Sequence, residues 1–241
     1  MKAMVLAAGI GSRLRPLTDE IPKALLDVGG APMIAHVIRR LQSAGVTEVV
    51  VNLFHLGDRI VEFLASQGDF GLRIEFTREE ELLDTGGGLK NAAWFFDDDR
   101  PFFLHNVDVL SDIDLAGLLR FHEGAGALAT LAVQCRPSAR QLVFDRDGRL
   151  CGREWPAGVE WAKGPMGCVE RLAFTGLHVI DPVIFSKMSE TGAFPITQAY
   201  LRLAGQGERI VAYRADGCYW QDVGSPETLA AARKRAGGSP I

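Results

Sequence analysis

The chain has 241 residues, of which 47% are hydrophobic and 23% charged, a composition that excludes disordered, collagen-like and coiled-coil proteins. Its 26 basic and 30 acidic residues give a formal net charge of −4, and its longest basic run is Arg233-Lys234-Arg235, so no nucleic-acid partner is expected. The cysteines form no closely spaced pair, and no apolar stretch approaches the roughly 18 residues of a membrane span, so we expect a cytoplasmic protein with no membrane partner.

The first half of the chain alternates apolar strands with amphipathic helices, which is typical of βαβ units and a mostly parallel sheet. Strands are predicted at 3–8, 46–53, 72–77 and 101–104, the last leading into Asn106-Val107-Asp108. Helices are predicted at 32–44, between the capping residue Asp58 and Gly68, at 88–96 and at 113–122.

Beyond residue 126 the pattern changes to shorter, hairpin-like strands, at 127–135, 142–144, around Leu150 and at 173–180, 209–213 and 218–223. Helices are predicted at 195–204 and from Ser225 onward, and the aperiodic stretch of about 152–171 is expected to be a lid loop. The expected fold class is therefore α/β, with a Rossmann-like mixed, mostly parallel sheet flanked by helices and a small antiparallel lobe, in one domain spanning 1–241.

A glycine-rich loop, Leu6-Ala7-Ala8-Gly9-Ile10-Gly11-Ser12-Arg13, follows the first predicted strand. Small residues at the carboxyl end of a buried strand let the backbone approach a phosphate closely. The loop is not a dinucleotide fingerprint, because Leu14 stands where a third glycine is needed, and it lacks the Gly-Lys-Ser/Thr of a Walker A loop. Arg13 and Lys23 suit a phosphate chain, although a glycine turn beside two solvated cations explains these residues equally well.

Two carboxylates, Asp108 and Asp222, each stand at the end of a predicted strand. Asp108 should emerge at the same sheet edge as Gly9 and Arg13. Mg²⁺ binds one or two carboxylates together with phosphate oxygens, so the pair suits a metal beside a polyphosphate. For either aspartate taken alone, a turn or helix-capping role is the alternative.

Together these motifs resemble the sugar-1-phosphate nucleotidyltransferase family, whose signature runs from Gly-x-Gly-x-Arg through Pro-x-Thr to Pro-Lys. Here the last two motifs are Pro16-Leu17-Thr18 and Pro22-Lys23, and the chain departs from the usual Pro-Lys-Pro at Ala24. Further matches follow in family order, in Asp84-Thr85-Gly86-Gly87-Gly88, at Asp108, in Thr175-Gly176 and in Trp220-Gln221-Asp222-Val223-Gly224-Ser225-Pro226-Glu227. The resemblance covers nearly the whole chain.

The resemblance implies that an NTP and a sugar-1-phosphate react to give an NDP-sugar and pyrophosphate, with Arg13, Lys23 and Asp108 as catalytic residues and Mg²⁺ held by Asp108 and Asp222. It implies a nucleotide-binding half at 1–126 and a sugar-phosphate-binding half at 127–241. The nucleotide-binding residues are then Ala7, Ala8, Gly9, Gly11, Ser12, Arg13, Lys23, Glu79, Glu81, Gly86 and Gly87, and the sugar-phosphate-binding residues are Asn106, Lys163, Thr175 and Gly176.

The choice of base depends on Glu79 and Glu81, which match family positions near the base. A carboxylate accepts hydrogen bonds from the ring N–H of guanine or uracil, which favours GTP or UTP. The Thr85-Gly86-Gly87-Gly88 run is most similar to N-acetylmuramate-1-phosphate uridylyltransferases, so UTP is the first expectation. The alternatives are a GTP-dependent mannose- or heptose-type guanylyltransferase, a cytidylyltransferase acting on phosphocholine, and a non-catalytic nucleotide-sugar sensor. The expected oligomeric state is a monomer or a homodimer.

Overall fold

The strands and helices follow the hydrophobic pattern of the sequence in a computed structural model that describes residues 1–164 and 167–237. The strands are β1 (Lys2–Leu6), β2 (Asp27–Val28), β3 (Ala31–Pro32), β4 (Glu48–Leu53), β5 (Arg73–Arg78), β6 (Phe102–Asn106), β7 (Val109–Ser111), β8 (Ala129–Gln134), β9 (Gln141–Asp145), β10 (Leu150–Trp155), β11 (Gly158–Trp161), β12 (Val169–Ile180), β13 (Ile210–Arg214) and β14 (Trp220–Asp222). The helices are α1 (Leu17–Glu20), α2 (Met33–Ser43), α3 (Gly57–Ser66), α4 (Asp84–Asn91), α5 (Leu115–Ala125), α6 (Ile184–Lys187), α7 (Ile196–Gly205) and α8 (Pro226–Ala236), with short 3₁₀ turns at Ser12–Leu14, Lys23–Leu25, Gly68–Gly71 and Ala93–Phe95.

The chain divides into two compact units that interleave along the sequence. Unit 1 contains residues 1–82 and 105–113 together with the chain from Cys218 onward, and unit 2 contains 83–104 and 114–217. These units differ from the predicted halves, 1–126 and 127–241. The boundary of a unit depends on strand pairing between distant parts of the chain. A local hydrophobic pattern does not predict that pairing.

Unit 1 contains the parallel strands β1, β4 and β5, in which Ala3 pairs with Val49 and Val49 pairs with Ile74. Three successive residues of β4, Val49 to Val51, are fully buried. A strand covered on both faces reads as a continuous apolar run instead of an alternation, which is why the sequence predicts it so clearly. Two small antiparallel sheets, β2 with β3 and β7 with β14, also belong to this unit.

Helix α8 begins as the sequence predicts. Ser225 is its N-cap and accepts a hydrogen bond from the Thr228 N–H, while the Thr228 hydroxyl accepts one from the Ser225 N–H, and Pro226 follows the cap. This reciprocal capping satisfies two backbone donors that a helix start leaves without partners. The start of α3 differs from the prediction, because Leu56 occupies the cap position and Asp58 instead pairs with Arg78 at 2.6 Å.

Unit 2 is built mainly on antiparallel pairs, with β12 paired to β8 and β9, and β13 running parallel to β8. Aromatic rings fill part of its interior, where Phe102 stacks on Phe96 at a centroid distance of 3.7 Å and lies parallel to Phe185.

The predicted mixed, mostly parallel sheet with flanking helices and small antiparallel sheets is confirmed. No helix in the described part of the chain is both long enough and apolar enough to cross a membrane.

The predicted lid loop at about 152–171 is wrong for most of its length. Strands β10 and β11 form an antiparallel hairpin in which Gly152 pairs with Trp161, and β12 begins at Val169; residues 165 and 166 lie outside the described part. Ion pairs such as Arg153 with Glu160, at 2.7 Å, link β10 to β11. Because charged side chains replace apolar ones there, the two-residue alternation is too weak to read from the sequence.

Candidate functional site

The glycine loop of unit 1 begins where the neighbouring strands β1, β4 and β5 end. The Val107 N–H donates to the Leu6 carbonyl at 3.1 Å, and the Ala7 N–H donates to Asn52 Oδ1 at 2.7 Å. The amide nitrogen of Asn52 in turn donates to Glu79 Oε1 at 2.7 Å. Parallel strands place their carboxyl ends at one sheet edge, so the loop and Glu79 are held together there.

The conformation of the loop depends on Gly11. Its φ is +69°, and its carbonyl accepts hydrogen bonds from the Thr18 hydroxyl at 2.9 Å and from the Leu14 N–H at 2.8 Å. A Cβ added to Gly11 would lie 2.8 Å from Thr18 Cγ2, whereas one added to Gly9 would meet nothing within 4 Å. Thr18 of the Pro-x-Thr motif therefore fixes the turn, and Gly9 leaves open space beside it.

We expect Gly11→Ala to lower the free energy of unfolding by about 1–3 kcal/mol, because alanine disfavours positive φ and its methyl group would contact Thr18. Gly9→Ala is the matched control and should change stability by less than about 0.5 kcal/mol, the usual effect of a surface substitution. Thermal or urea unfolding of both variants measures the difference. Equal stability of the two variants would contradict the proposed role of Gly11.

Lys23 and Asp108 form an ion pair within unit 1, with Lys23 Nζ donating to Asp108 Oδ2. The Lys23 side chain is only 10% exposed and that of Asp108 is 25% exposed. Lys23 stands on the 3₁₀ turn Lys23–Leu25, directly after Pro22. The reading of Lys23 as a solvated surface cation is therefore wrong, since a lysine is buried to this extent only when it is paired.

Asp108 and Asp222 are brought close together by the β7–β14 ladder. Asp222 pairs with Val109, and the Val223 N–H donates to the Asp108 carbonyl at 2.8 Å. A Cβ added to Gly224 would lie 2.6 Å from Arg13 Nη2 and 2.9 Å from Asp222 Oδ2, so both side chains approach this glycine. Two carboxylates and two cations thus gather beside the glycine loop.

This donor set fits a divalent cation that is bound partly by substrate. Among the residues that the structure describes, no three histidine, cysteine, aspartate or glutamate side chains converge into a metal site made of protein alone. Mg²⁺ commonly takes one or two carboxylates and completes its shell with phosphate oxygens and water. Asp108 and Asp222 would supply those carboxylates.

Asn106 ends β6 beside this cluster, and its Oδ1 atom is buried with no hydrogen-bond partner in the described structure. A buried acceptor without a donor costs free energy, so an unpaired amide oxygen of this kind is a candidate ligand contact. The neighbouring His105 ring bonds to the Asn106 carbonyl at 2.7 Å, and burial lowers the pKa of His105 to about 4. His105 is therefore neutral at neutral pH.

The two glutamates predicted to bind the base differ in burial. Glu79 is only 8% exposed and belongs to the Asn52 network, whereas Glu81 is exposed, so the geometry supports Glu79 far better than Glu81. In unit 2, the N–H groups of Gly86 and Gly87 both donate to the Phe194 carbonyl, at 2.9 and 3.3 Å, and side chains there would clash with Phe194 and Gly192. Packing explains both glycines, and their contact with a nucleotide stays a prediction.

The predicted sugar-phosphate residues of unit 2 do not all lie together. The Thr175 hydroxyl donates to the Ala132 carbonyl at 2.7 Å, and Gly176, with φ of +82°, lies where β12 shifts register against β8. The Lys163 ammonium lies 3.9 Å from the position of a Cβ on Gly207, in the turn before β13. Ile210, which begins β13, and Ile180, which ends β12, pair with the same residue of β8. The turn before β13 therefore lies near the Ile180 end of β12 and away from Gly176.

Asn52 is the site residue that sequence reasoning missed. It is 3% exposed and connects the Ala7 peptide to Glu79. The available signal was a polar residue inside the apolar strand Glu48–Leu53, because a buried amide needs hydrogen-bond partners and therefore marks a network. Thr18 carries a similar signal, being 1% exposed next to the loop.

Comparisons with known proteins agree with this arrangement. The sequence model of the Nucleotidyl transferase family matches residues 2–237. A mannose-1-phosphate guanyltransferase of Gibberella zeae is 33% identical over 233 residues, and one of Candida albicans is 32% identical over 231 residues. Each match covers 94% of this chain, and the chain spans 62% of the length of each relative.

A solved structure, described as a putative glucose-1-phosphate thymidylyltransferase from Bacillus anthracis, has a TM-score of 0.81 and 23% identity, and covers 100% of this chain and 97% of that one. This likeness shows that the fold is shared. The family match over almost the full length, the identity to curated relatives and the order of the motifs agree with one another. The chain therefore belongs to the nucleotidyl transferase family, as the resemblance to sugar-1-phosphate nucleotidyltransferases indicated.

Proposed function

We propose that this chain transfers a guanylyl group from GTP to a sugar-1-phosphate and releases pyrophosphate. The observation that carries the proposal is the partly buried Lys23–Asp108 pair beside Asp222 and Arg13, near the glycine loop in unit 1. Polyphosphate chemistry needs this combination of cations, carboxylates and open backbone. A nucleotide sensor without catalysis needs no second carboxylate, so the retained Asp222 favours an enzyme.

In the proposed reaction an oxygen of the sugar phosphate attacks the α-phosphorus of GTP, and the bond from that phosphorus to the bridging oxygen of the β-phosphate breaks. Pyrophosphate takes the electron pair and leaves. The attacking oxygen is already an anion, so no general base is needed. Positioning and charge neutralisation then provide most of the rate enhancement.

Each cation has a distinct proposed task. Lys23 presents a compact charge that can follow the reacting phosphoryl group, and Arg13 presents a planar fork suited to the departing pyrophosphate. A divalent cation held by Asp108 and Asp222 would supply further neutralisation of the triphosphate charge. Asn106, with its unpaired buried oxygen, would accept a hydrogen bond from a sugar hydroxyl.

GTP is preferred over UTP in this proposal because the two guanyltransferase relatives are named for guanylyl transfer. The similarity of the Thr85-Gly86-Gly87-Gly88 run, which made UTP the first expectation, carries less weight now that packing accounts for Gly86 and Gly87. Glu79, held by Asn52, offers a fixed carboxylate. Guanine presents two donors on one edge, N1–H and the amino group, and a carboxylate can accept both. Because the relatives are named for mannose-1-phosphate, that sugar phosphate is the first one to test.

We expect a pyrophosphate-release assay with mannose-1-phosphate to give the highest kcat/KM with GTP, UTP following and CTP and ATP far behind. Glu79→Gln should reduce the preference for GTP by about 10- to 100-fold, because an N–H donor loses its charged acceptor. Glu81→Gln is the matched control and should keep the preference. A higher kcat/KM with UTP would return the nucleotide assignment to a uridylyltransferase, and a base preference unaffected by Glu79→Gln would remove Glu79 from the base site.

A further inference from the structure

Arg40, in the last turn of α2, holds its guanidinium partly buried against the end of β7, within unit 1. Its Nη1 donates to Ser111 Oγ at 2.8 Å and its Nη2 donates to the Ile113 carbonyl at 2.5 Å. Burial lowers the pKa of Arg40, and the neighbouring Asp112 opposes that shift. Withdrawing a charge from water costs free energy, and the two hydrogen bonds to the end of β7 offset that cost.

The two acceptors of Arg40 lie at the end of β7 that is farther from Asp108. Ser111 is the last residue of β7, and Asp108 immediately precedes the same three-residue strand. In β14, Trp220 pairs with Ser111 and Asp222 pairs with Val109, so the second carboxylate depends on the same ladder.

This ladder is too short to hold its own geometry. A two-stranded sheet of three residues a side is marginal in water and needs contacts from outside. Besides Arg40, Asp112 contributes such a contact, because its Oδ1 accepts a hydrogen bond from the Tyr219 N–H at 2.7 Å. A fork with two donors in a fixed plane restrains a strand end more tightly than a single flexible ammonium does.

We infer that Arg40 is a positioning residue that sets the spacing of the Asp108 and Asp222 carboxylates, and hence their affinity for a divalent cation, by holding the far end of the β7–β14 ladder. The inference rests on the proposed function only in taking these two carboxylates as the metal ligands. Arg40 contacts neither carboxylate directly, so it acts through Ser111 and the strand.

The test measures the affinity of the full chain for Mn²⁺ by electron paramagnetic resonance, with no nucleotide present. Mn²⁺ is a suitable probe because it takes carboxylate and water ligands as Mg²⁺ does. Arg40→Lys should weaken Mn²⁺ binding by about tenfold, the lower range measured when residues behind metal ligands are changed. Ser111→Ala should weaken it less, in the same direction. Arg39→Lys is the matched control, because Arg39 is exposed on the same helix, and should bind as the wild type does.

Steady-state kinetics provide a second readout that general loosening of the fold would not reproduce. The Mg²⁺ concentration for half-maximal rate should rise in Arg40→Lys while the KM for the sugar phosphate stays within about twofold. Unchanged Mn²⁺ affinity in a folded Arg40→Lys protein overturns the inference. If that variant fails to fold, unchanged affinity in Ser111→Ala overturns it instead. Absence of pyrophosphate release from the wild type would refute the proposed function alone, since the Mn²⁺ titration does not depend on it.

Discussion

Asp108→Asn should reduce kcat by about 10³-fold, the upper range for removing one electrostatic contact to a transition state. Asp108 accepts a hydrogen bond from the Lys23 ammonium and lies beside Asp222, so the neutral amide removes the proposed metal ligand and the counter-ion of a buried cation together. The rate is measured by pyrophosphate release at saturating GTP and sugar phosphate.

Stability of the Asp108→Asn protein separates a lost ligand from a lost fold. Removing a charged hydrogen-bond partner of a mostly buried lysine should cost about 1.5–3 kcal/mol of unfolding free energy. Asp112→Asn offers a comparison, since Asp112 is exposed at the other end of β7 and supports the ladder through its hydrogen bond from the Tyr219 N–H without being a candidate metal ligand. A rate loss in Asp108→Asn no larger than that in Asp112→Asn would be incompatible with Asp108 as a catalytic metal ligand.

Lys23→Met should lower kcat by about 10²- to 10³-fold with a smaller rise in the KM for GTP, because the proposed ammonium contact strengthens as charge develops on the reacting phosphoryl group. Methionine keeps the apolar stem of the side chain and leaves Asp108 without its cation. Steady-state kinetics at several GTP concentrations separate kcat from KM.

Lys23→Arg provides the control for charge alone. The Lys23 side chain is only 10% exposed, so the wider guanidinium of arginine has little room at this position. We therefore expect Lys23→Arg to rescue only part of the activity. An increase in the KM for GTP with unchanged kcat in Lys23→Met would assign Lys23 to ground-state binding instead of catalysis.

Those parts of the site that lie at strand ends could be predicted from the sequence. The glycine loop follows β1, Asp108 follows β6 and Asp222 ends β14, and the carboxyl edge of a sheet is where ligands bind. The partners of these residues were not predictable. The pairing of Lys23 with Asp108 joins residues 85 positions apart, and the register of β7 against β14 depends on contacts that leave no local periodicity.

The mistaken lid loop and the overlooked Asn52 also have physical causes. The strands β10 and β11 are linked by ion pairs such as Arg153 with Glu160, at 2.7 Å, so they lack the apolar alternation that identifies a strand. Packing against Phe194 and Gly192 accounts for the small size of Gly86 and Gly87, and their contact with the nucleotide stays a prediction. Asn52 was overlooked because one buried amide in an apolar strand alters the hydrophobic pattern very little.

Phosphorus NMR of the wild-type protein with GTP, mannose-1-phosphate and Mg²⁺ observes the proposed nucleotidyl transfer at the glycine loop with Lys23, Asp108 and Asp222. Resonances of a diphosphate ester and of pyrophosphate should grow in equal amounts as both substrates disappear. Formation of GDP and inorganic phosphate, or an unchanged spectrum with all four nucleoside triphosphates, would contradict the proposed transfer.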